Sequence, residues 1–246
     1  MFSFLKNHPF AVDAFFEKSI VLTFAVPKEQ LESLIPECLQ LDTFQDRWAF
    51  VAMAMVQTKD LRPAGFPAFL GNDFFLIGYR IFVRYTTAEG KHLRGLYILK
   101  SETDKKKMEF MGNLFTHYKY TTTDITQTET GDTLEIASLQ SDFHVRLNTA
   151  RQAVSLPAQS PFADWREARR FAGPLPFTFT YNTQTKEVLI IKGLREHWLP
   201  EPVTVTDYSV SFIESLQLQG AVLANAFIIK HIPYHWEKGK KERWNH

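Results

Sequence analysis

Runs of β-branched and aromatic residues recur along almost the whole chain, and they limit its fold more than any other feature. Residues 19–26 (SIVLTFAV), 47–57 (RWAFVAMAMVQ) and 74–86 (FFLIGYRIFVRYT) are the clearest. Such side chains suit a pleated surface and lose rotamer freedom in a helix. Segments 94–100, 133–140, 143–148, 177–182 and 187–193 have the same character, and 203–212 (VTVTDYSVSF) alternates as a strand with one wet face should. A last long strand is expected over 221–232. Between two of these runs, 181–186 (YNTQTK) reads as a hairpin turn, with Asn182 suited to its tight backbone. The polar stretch 121–133 is expected to form an exposed strand and turn.

Helical signals are few. Segment 27–35 opens with proline and stops before Pro36. Segment 104–117 places Met108, Met111 and Phe115 on one face, with Lys105, Lys106 and Lys107 in a solvated first turn. Ser160 and Pro161 form a cap-then-proline start for 162–171. Regularly spaced strands with three short helices predict a mainly β (α+β) domain spanning residues 1–246. The expected sheet is antiparallel and closes, or nearly closes, into a barrel under helical covers. Residues 152–161 read as a loop inside that one domain.

The charge balance, 28 basic against 27 acidic side chains, gives no field toward nucleic acid or an anionic membrane. No apolar run approaches the roughly 20 residues of a membrane helix. Cys38 is the sole cysteine, so no internal disulfide can form, which suits a reducing compartment. With no secretory pattern at the start, a soluble cytoplasmic protein is expected. Glycine loops for nucleotides, a nucleophile-elbow serine and a helical zinc motif are all missing, so no cofactor and no metal are expected. His231 and His235 are four apart, but Pro233 lies between them in a strand-like segment, which spoils the helical geometry for sharing a metal. The basic tail 237–246 reads as solvated.

Lys119 lies in FTHYKY, just past a predicted helix and among rings. A lysine walled into apolar surroundings loses proton affinity and can attack a carbonyl. The same residues fit a lysine whose stem packs while its head reaches water.

Several segments in order resemble the acetoacetate decarboxylase-like superfamily. Residues 28–42 (KEQLESLIPECLQLD) resemble its first helix and turn, and 48–67 (WAFVAMAMVQTKDLRPAGFP) resemble the strand and "R-P-x-G-x-P" loop of its YqjF-like branch of conserved bacterial proteins. Residues 79–85 (YRIFVRY) resemble that branch's "V-R-x-Y-V" strand, and 195–203 (REHWLPEPV) its late "H-x-x-W-P-L-x-P-A" stretch. The resemblance implies a conical or barrel-like antiparallel sheet with a central pocket. Decarboxylases of the superfamily use paired lysines in a "G-F-P-K-K" segment, one of them forming a Schiff base with a β-keto acid. That segment falls on 116–120, matching Lys119 to the nucleophile, with Tyr120 in place of the second lysine and Tyr118 in place of the proline. The family's carboxylate falls at Leu76, and its substrate-side arginine close to Lys18.

Three functions follow as expectations. One is a pocket for a small, largely apolar or carboxylate-bearing molecule, with Tyr79, Arg80, Arg62, Trp48, His197 and Lys18 as candidate ligand-binding residues. Arg80 would suit an anionic group through its fork of donors. A second is a keto-acid enzyme acting through Lys119, with His117 or Tyr120 moving protons. The third is a non-catalytic barrel filled by its own phenylalanines. An exposed edge strand is able to pair two copies, so a homodimer is the assembly to test.

Overall fold

The computed structural model describes residues 5–150, 154–196 and 198–244. Among these, the strands and helices follow as β1 (Val12–Pro27), β2 (Gln40–Leu41), β3 (Trp48–Pro63), β4 (Asn72–Thr86), β5 (His92–Thr103), α1 (Lys106–Phe115), β6 (Tyr120–Thr122), β7 (Thr126–Thr130), β8 (Thr133–Ser138), β9 (Phe143–Asn148), α2 (Trp165–Ala172), β10 (Phe177–Asn182), β11 (Glu187–Arg195), β12 (Glu201–Pro202), β13 (Thr204–Val210), α3 (Ser211–Ser215), β14 (Val222–Trp236) and β15 (Lys240–Arg243).

The larger sheet runs β14–β1–β3–β4–β5–β10–β11, and β11 returns to β14 through Gly193↔Trp236, Leu194↔His235 and Arg195↔Tyr234. Its hydrogen bonding therefore closes into a ring of seven strands. The expectation of a wholly antiparallel sheet is corrected, because β10 runs parallel to β5 (Phe177↔Gly95) and so does β6 (Ser101↔Tyr120). The chain leaves β5 for α1 and a second sheet before β10 comes back, and only such a long crossover lets two strands lie parallel. Gly95 permits the contact, since a Cβ there would come within 2.5 Å of the Phe177 carbonyl oxygen.

Strand alternation sorts side chains onto two faces. On β4, Ile77, Tyr79 and Ile81 join a core shared with Ile20 and Met53 of the ring and with Ile136, Val145 and Leu147 of the second sheet, ordered β13–β9–β8–β7. Leu76, Arg80 and Phe82 face the other way, into a cavity. Near one edge of the sheet, Asp42 is fully buried, accepting from Arg84 Nε (2.5 Å) and Arg94 Nε (2.6 Å). Arg94 also donates to the Phe171 carbonyl, which ties α2 to the ring.

Some local expectations need correction. Segment 27–35 forms two 3-10 turns, Lys28–Gln30 and Glu32–Leu34, because the stretch between two prolines is too short for a stable α-helix. Helix α2 is capped by Asp164, whose Oδ1 accepts from Glu167 N at 2.8 Å, rather than by Ser160. The end of the 203–212 strand coils into α3. The basic tail is not simply solvated: β15 pairs with β11, and Trp244 lies edge-on to Tyr181. Among the described residues no helix is long and apolar enough to cross a membrane.

Candidate functional site

All seven strands of the ring contribute residues to one cavity of about 220 Å³. Its walls are mainly apolar, including Val21, Ala54, Val56, Phe82, Phe227 and Ile229. Met108, Met111 and Phe115 of α1 cover one side, as their helical spacing predicts. His8 and Phe10 join them from the N-terminal segment, which is held by His8 N donating to the Phe115 carbonyl (3.1 Å) and Gly239 N donating to the His8 carbonyl (2.9 Å). Phe10 meets the Phe115 ring edge-on at 5.1 Å. The cavity is open space, so a ring interior filled by its own phenylalanines is not what the structure contains.

Arg80 dominates the chemistry of this space. Its position on β4 points it inward, and Gly78 two residues earlier leaves room for the guanidinium. A Cβ on Gly78 would lie 2.9 Å from Arg80 Nη2. Arg80 Nε is buried and has no hydrogen-bond partner. The surface that the side chain keeps borders the cavity. Burial holds its pKa below the usual arginine value, Coulombic interaction with Tyr234, Tyr120 and Tyr118 opposes that shift, and the charge of Arg195 adds to it. Among the described residues no Asp, Glu or Lys lines the cavity. A buried guanidinium without a carboxylate beside it is uncommon, because desolvation costs several kcal/mol per ion.

Three tyrosines line the same cavity. Tyr120 packs where Gly112 of α1 omits a side chain; a Cβ there would be 2.3 Å from the ring. Its backbone is pinned by Asn113, whose Oδ1 accepts from Tyr120 N and whose Nδ2 donates to the Tyr120 carbonyl, both at 2.8 Å. Burial pushes the Tyr120 hydroxyl up to about 12 and raises Tyr118 as well. Both phenols are therefore neutral donors at neutral pH. Tyr118 Oη is buried beside Thr178 without a partner at hydrogen-bonding geometry. Tyr234 fits against Gly193, where a Cβ would lie 2.0 Å from its hydroxyl. Arg195 covers the Tyr234 ring, 5.4 Å from its centroid, and donates through Nη2 to the Leu175 carbonyl (2.7 Å).

The sequence candidates scatter around this site. Arg80, Arg62 and Tyr120 line the cavity. Arg62 donates from Nε to the Phe66 carbonyl and from Nη1 to the Asp60 carbonyl, each at 2.8 Å, which shapes the loop at the rim. Tyr79 points to the opposite face, where its hydroxyl donates to Glu102 Oε2 (3.1 Å) and the Phe212 ring lies tilted against it at 4.4 Å. Trp48 packs near α2 under the Arg47 guanidinium, and Lys18 pairs with Glu129; neither lines the cavity. His197 lies outside the described residues.

Lys119 is exposed, with φ +55°, and is not a cavity residue. Tyr118 and Tyr120 turn inward on either side of it, so the amine between them turns out. The apolar enclosure on which the Schiff-base expectation rests is not formed around this amine. His117 is half-buried, its pKa lowered by burial and by the charges of Lys6 and Lys241, and it too stays out of the cavity. His231 is exposed, while His235 Nδ1 lies 2.6 Å from Asp13 Oδ1. Among the described residues no group of three His, Cys, Asp or Glu side chains could hold a metal ion.

Sequence reasoning missed Tyr118, Tyr234, Arg195 and Gly78 as site residues. Gly78 had a signal, since a glycine two residues before an arginine on a strand frees space on the arginine's own face.

This ring backed by a second sheet is similar in fold to acetoacetate decarboxylase-like proteins of known structure. The acetoacetate decarboxylase of Legionella pneumophila superposes with a TM-score of 0.61 at 12% identity, over 95% of this chain and 87% of that one. An acetoacetate decarboxylase-like enzyme from Sphingomonas wittichii gives 0.56 at 12% identity, over 98% and 94%. The enduracididine biosynthesis enzyme MppR, complexed with pyruvate, gives 0.56 at 10% identity, over 95% and 90%. At these identities the likeness is one of fold. Residues 14–242 match the model of DUF2071, described as an uncharacterized conserved protein, and the chain belongs to that family. The YqjF-like resemblance in the sequence is thereby borne out. No curated protein matches the sequence.

Proposed function

We propose that this protein binds a small, largely apolar molecule bearing a carboxylate in its ring cavity, with Arg80 gripping the carboxylate. The observation that carries this reading is a guanidinium in an acid-free apolar cavity with Nε unpartnered. A carboxylate would satisfy the orphaned donor and neutralise the charge together, and arginine presents a planar fork matched to that group. The neutral Tyr118 hydroxyl offers a further donor beside it. The apolar walls suit the rest of such a ligand. MppR, which shares the fold, is described in complex with pyruvate, a carboxylate.

Isothermal titration of apolar monocarboxylates against the matching primary amides and alcohols tests the idea. Carboxylates should bind at least about tenfold more tightly, as one charge-assisted bond contributes on the order of 1.5–3 kcal/mol. Arg80→Met should erase that preference. Equal affinity for the amide and the acid in the unaltered protein would overturn it.

A further inference from the structure

Arg80 is not the only cation facing this space. Arg195 and Arg62 also line the cavity, and no acid among the described residues lines it with them. Arg62 spends two nitrogens on the carbonyls of Asp60 and Phe66, so its donors are committed to its own loop. The situation of Arg195 differs. It stands on the closing strand β11, and its one hydrogen bond among the described residues runs from Nη2 to the Leu175 carbonyl. Its guanidinium covers the Tyr234 ring, and Tyr234 is in turn among the groups whose field reaches Arg80. Two guanidiniums thus share one tyrosine and one low-dielectric space with no negative charge between them. Like charges so placed repel, and a ligand carrying only one carboxylate would leave one of them uncompensated.

The two arginines also sit apart on the ring. Arg80 belongs to β4 and Arg195 to β11, with β5 and β10 between them. Three interstrand steps amount to about 14 Å of sheet, before curvature and side-chain reach shorten the gap. The wall between includes Leu96, Ile98 and Leu175. This spacing favours two separate acid groups joined by an apolar spacer over one compact dianion. Building on the carboxylate assignment above, we infer that the ligand is a dicarboxylate, its first acid group held by Arg80 and its second by Arg195.

The test titrates α,ω-dicarboxylates of increasing chain length, each against its own monomethyl ester, into the unaltered protein, Arg80→Met and Arg195→Gln. A simple alkyl phosphate is a further arm. Glutamine at 195 keeps a donor for the Leu175 carbonyl, and a thermal melt of each variant confirms folding. One chain length should bind on the order of tenfold more tightly than its half-ester. Arg195→Gln should remove that advantage and leave the half-ester unchanged, while Arg80→Met should weaken both. The comparison in the unaltered protein stands even if Arg195→Gln fails to fold. Half-esters that match their diacids at every length would overturn the dicarboxylate inference and leave the carboxylate assignment intact. So would a diacid advantage that survives in Arg195→Gln. An alkyl phosphate that equals the best diacid and depends on Arg195 would overturn the two-group geometry in favour of a single dianion. If neither diacids nor half-esters bind, the carboxylate assignment itself falls.

Discussion

Replacing Arg80 with methionine should make the protein more stable while destroying its preference for anions. The guanidinium shares its cavity with Tyr118, Tyr120 and Tyr234, no carboxylate among the described residues lines that cavity, and Nε has no acceptor. A buried unsatisfied donor costs about 1–3 kcal/mol, and an ion removed from bulk water costs several kcal/mol more. Part of that penalty is relieved, since the side chain is only half-buried and borders open space. Methionine fills a similar apolar volume and carries neither cost. The net gain should be about 2 kcal/mol. For a chain of this length that raises the melting temperature by about 4–8 °C. Urea denaturation checks the same quantity, with the midpoint rising and the slope unchanged. A variant that unfolds more easily than the parent would refute the reasoning, because it would mean that the guanidinium is already well paired. The expected pattern, stability gained as binding is lost, is what selection for a function leaves behind.

Other predictions follow from the same geometry. Gly78→Ala places a Cβ 2.9 Å from Arg80 Nη2, the free end of a flexible side chain, so the fold should survive while carboxylate affinity drops about tenfold in titration. Burial holds the His8 imidazole down at about 4, whereas an unfolded histidine protonates near 6.5. The released segment therefore takes the proton first, and up to about 3 kcal/mol of docking stability, complete above about pH 6.5, is lost as pH falls toward 4. Amide exchange at residues 5–10 should accelerate through that window, and His8→Gln should flatten the response. Borohydride added with a keto acid should leave no mass increment on Lys119; an increment mapped there would restore the Schiff-base chemistry.

The strands were legible because their side chains declare a pleated, half-buried surface. Segment 143–148 coincides with β9, and 177–182 with β10. Asn182 supports the hairpin through its side chain, Oδ1 accepting from Gln184 N and Thr185 N, while the positive φ falls on Lys186. Arg80 was legible as an anion-binding candidate, but its direction was not. The run 74–86 is apolar on both faces, so alternation could not show that Arg80 faces the cavity and Tyr79 the inter-sheet core. Lys119 failed for a related reason. Rings on both sides look like an apolar wall in sequence, but at Lys119 the chain turns with φ +55°, and the lysine is exposed while Tyr118 and Tyr120 line the cavity. The parallel placement of β10 on β5 has no local signature, because it depends on where a long crossover returns. The same holds for β15, whose polar sequence gives no pattern until β11 supplies an edge.

Ring closure joins strands far apart in sequence. Val12 pairs with Trp236 on β14, and among the described residues β11 meets β14 over Gly193–Arg195. A ribosome must therefore release the chain through β14 before the cavity can exist. Until then the edge of β1 that β14 covers stays unmatched, a template for wrong partners. Assembly of this kind, dominated by distant pairings, is intrinsically slow. Removing even a modest stretch from the end of β14 should open the ring instead of trimming it, and the binding space would go with it.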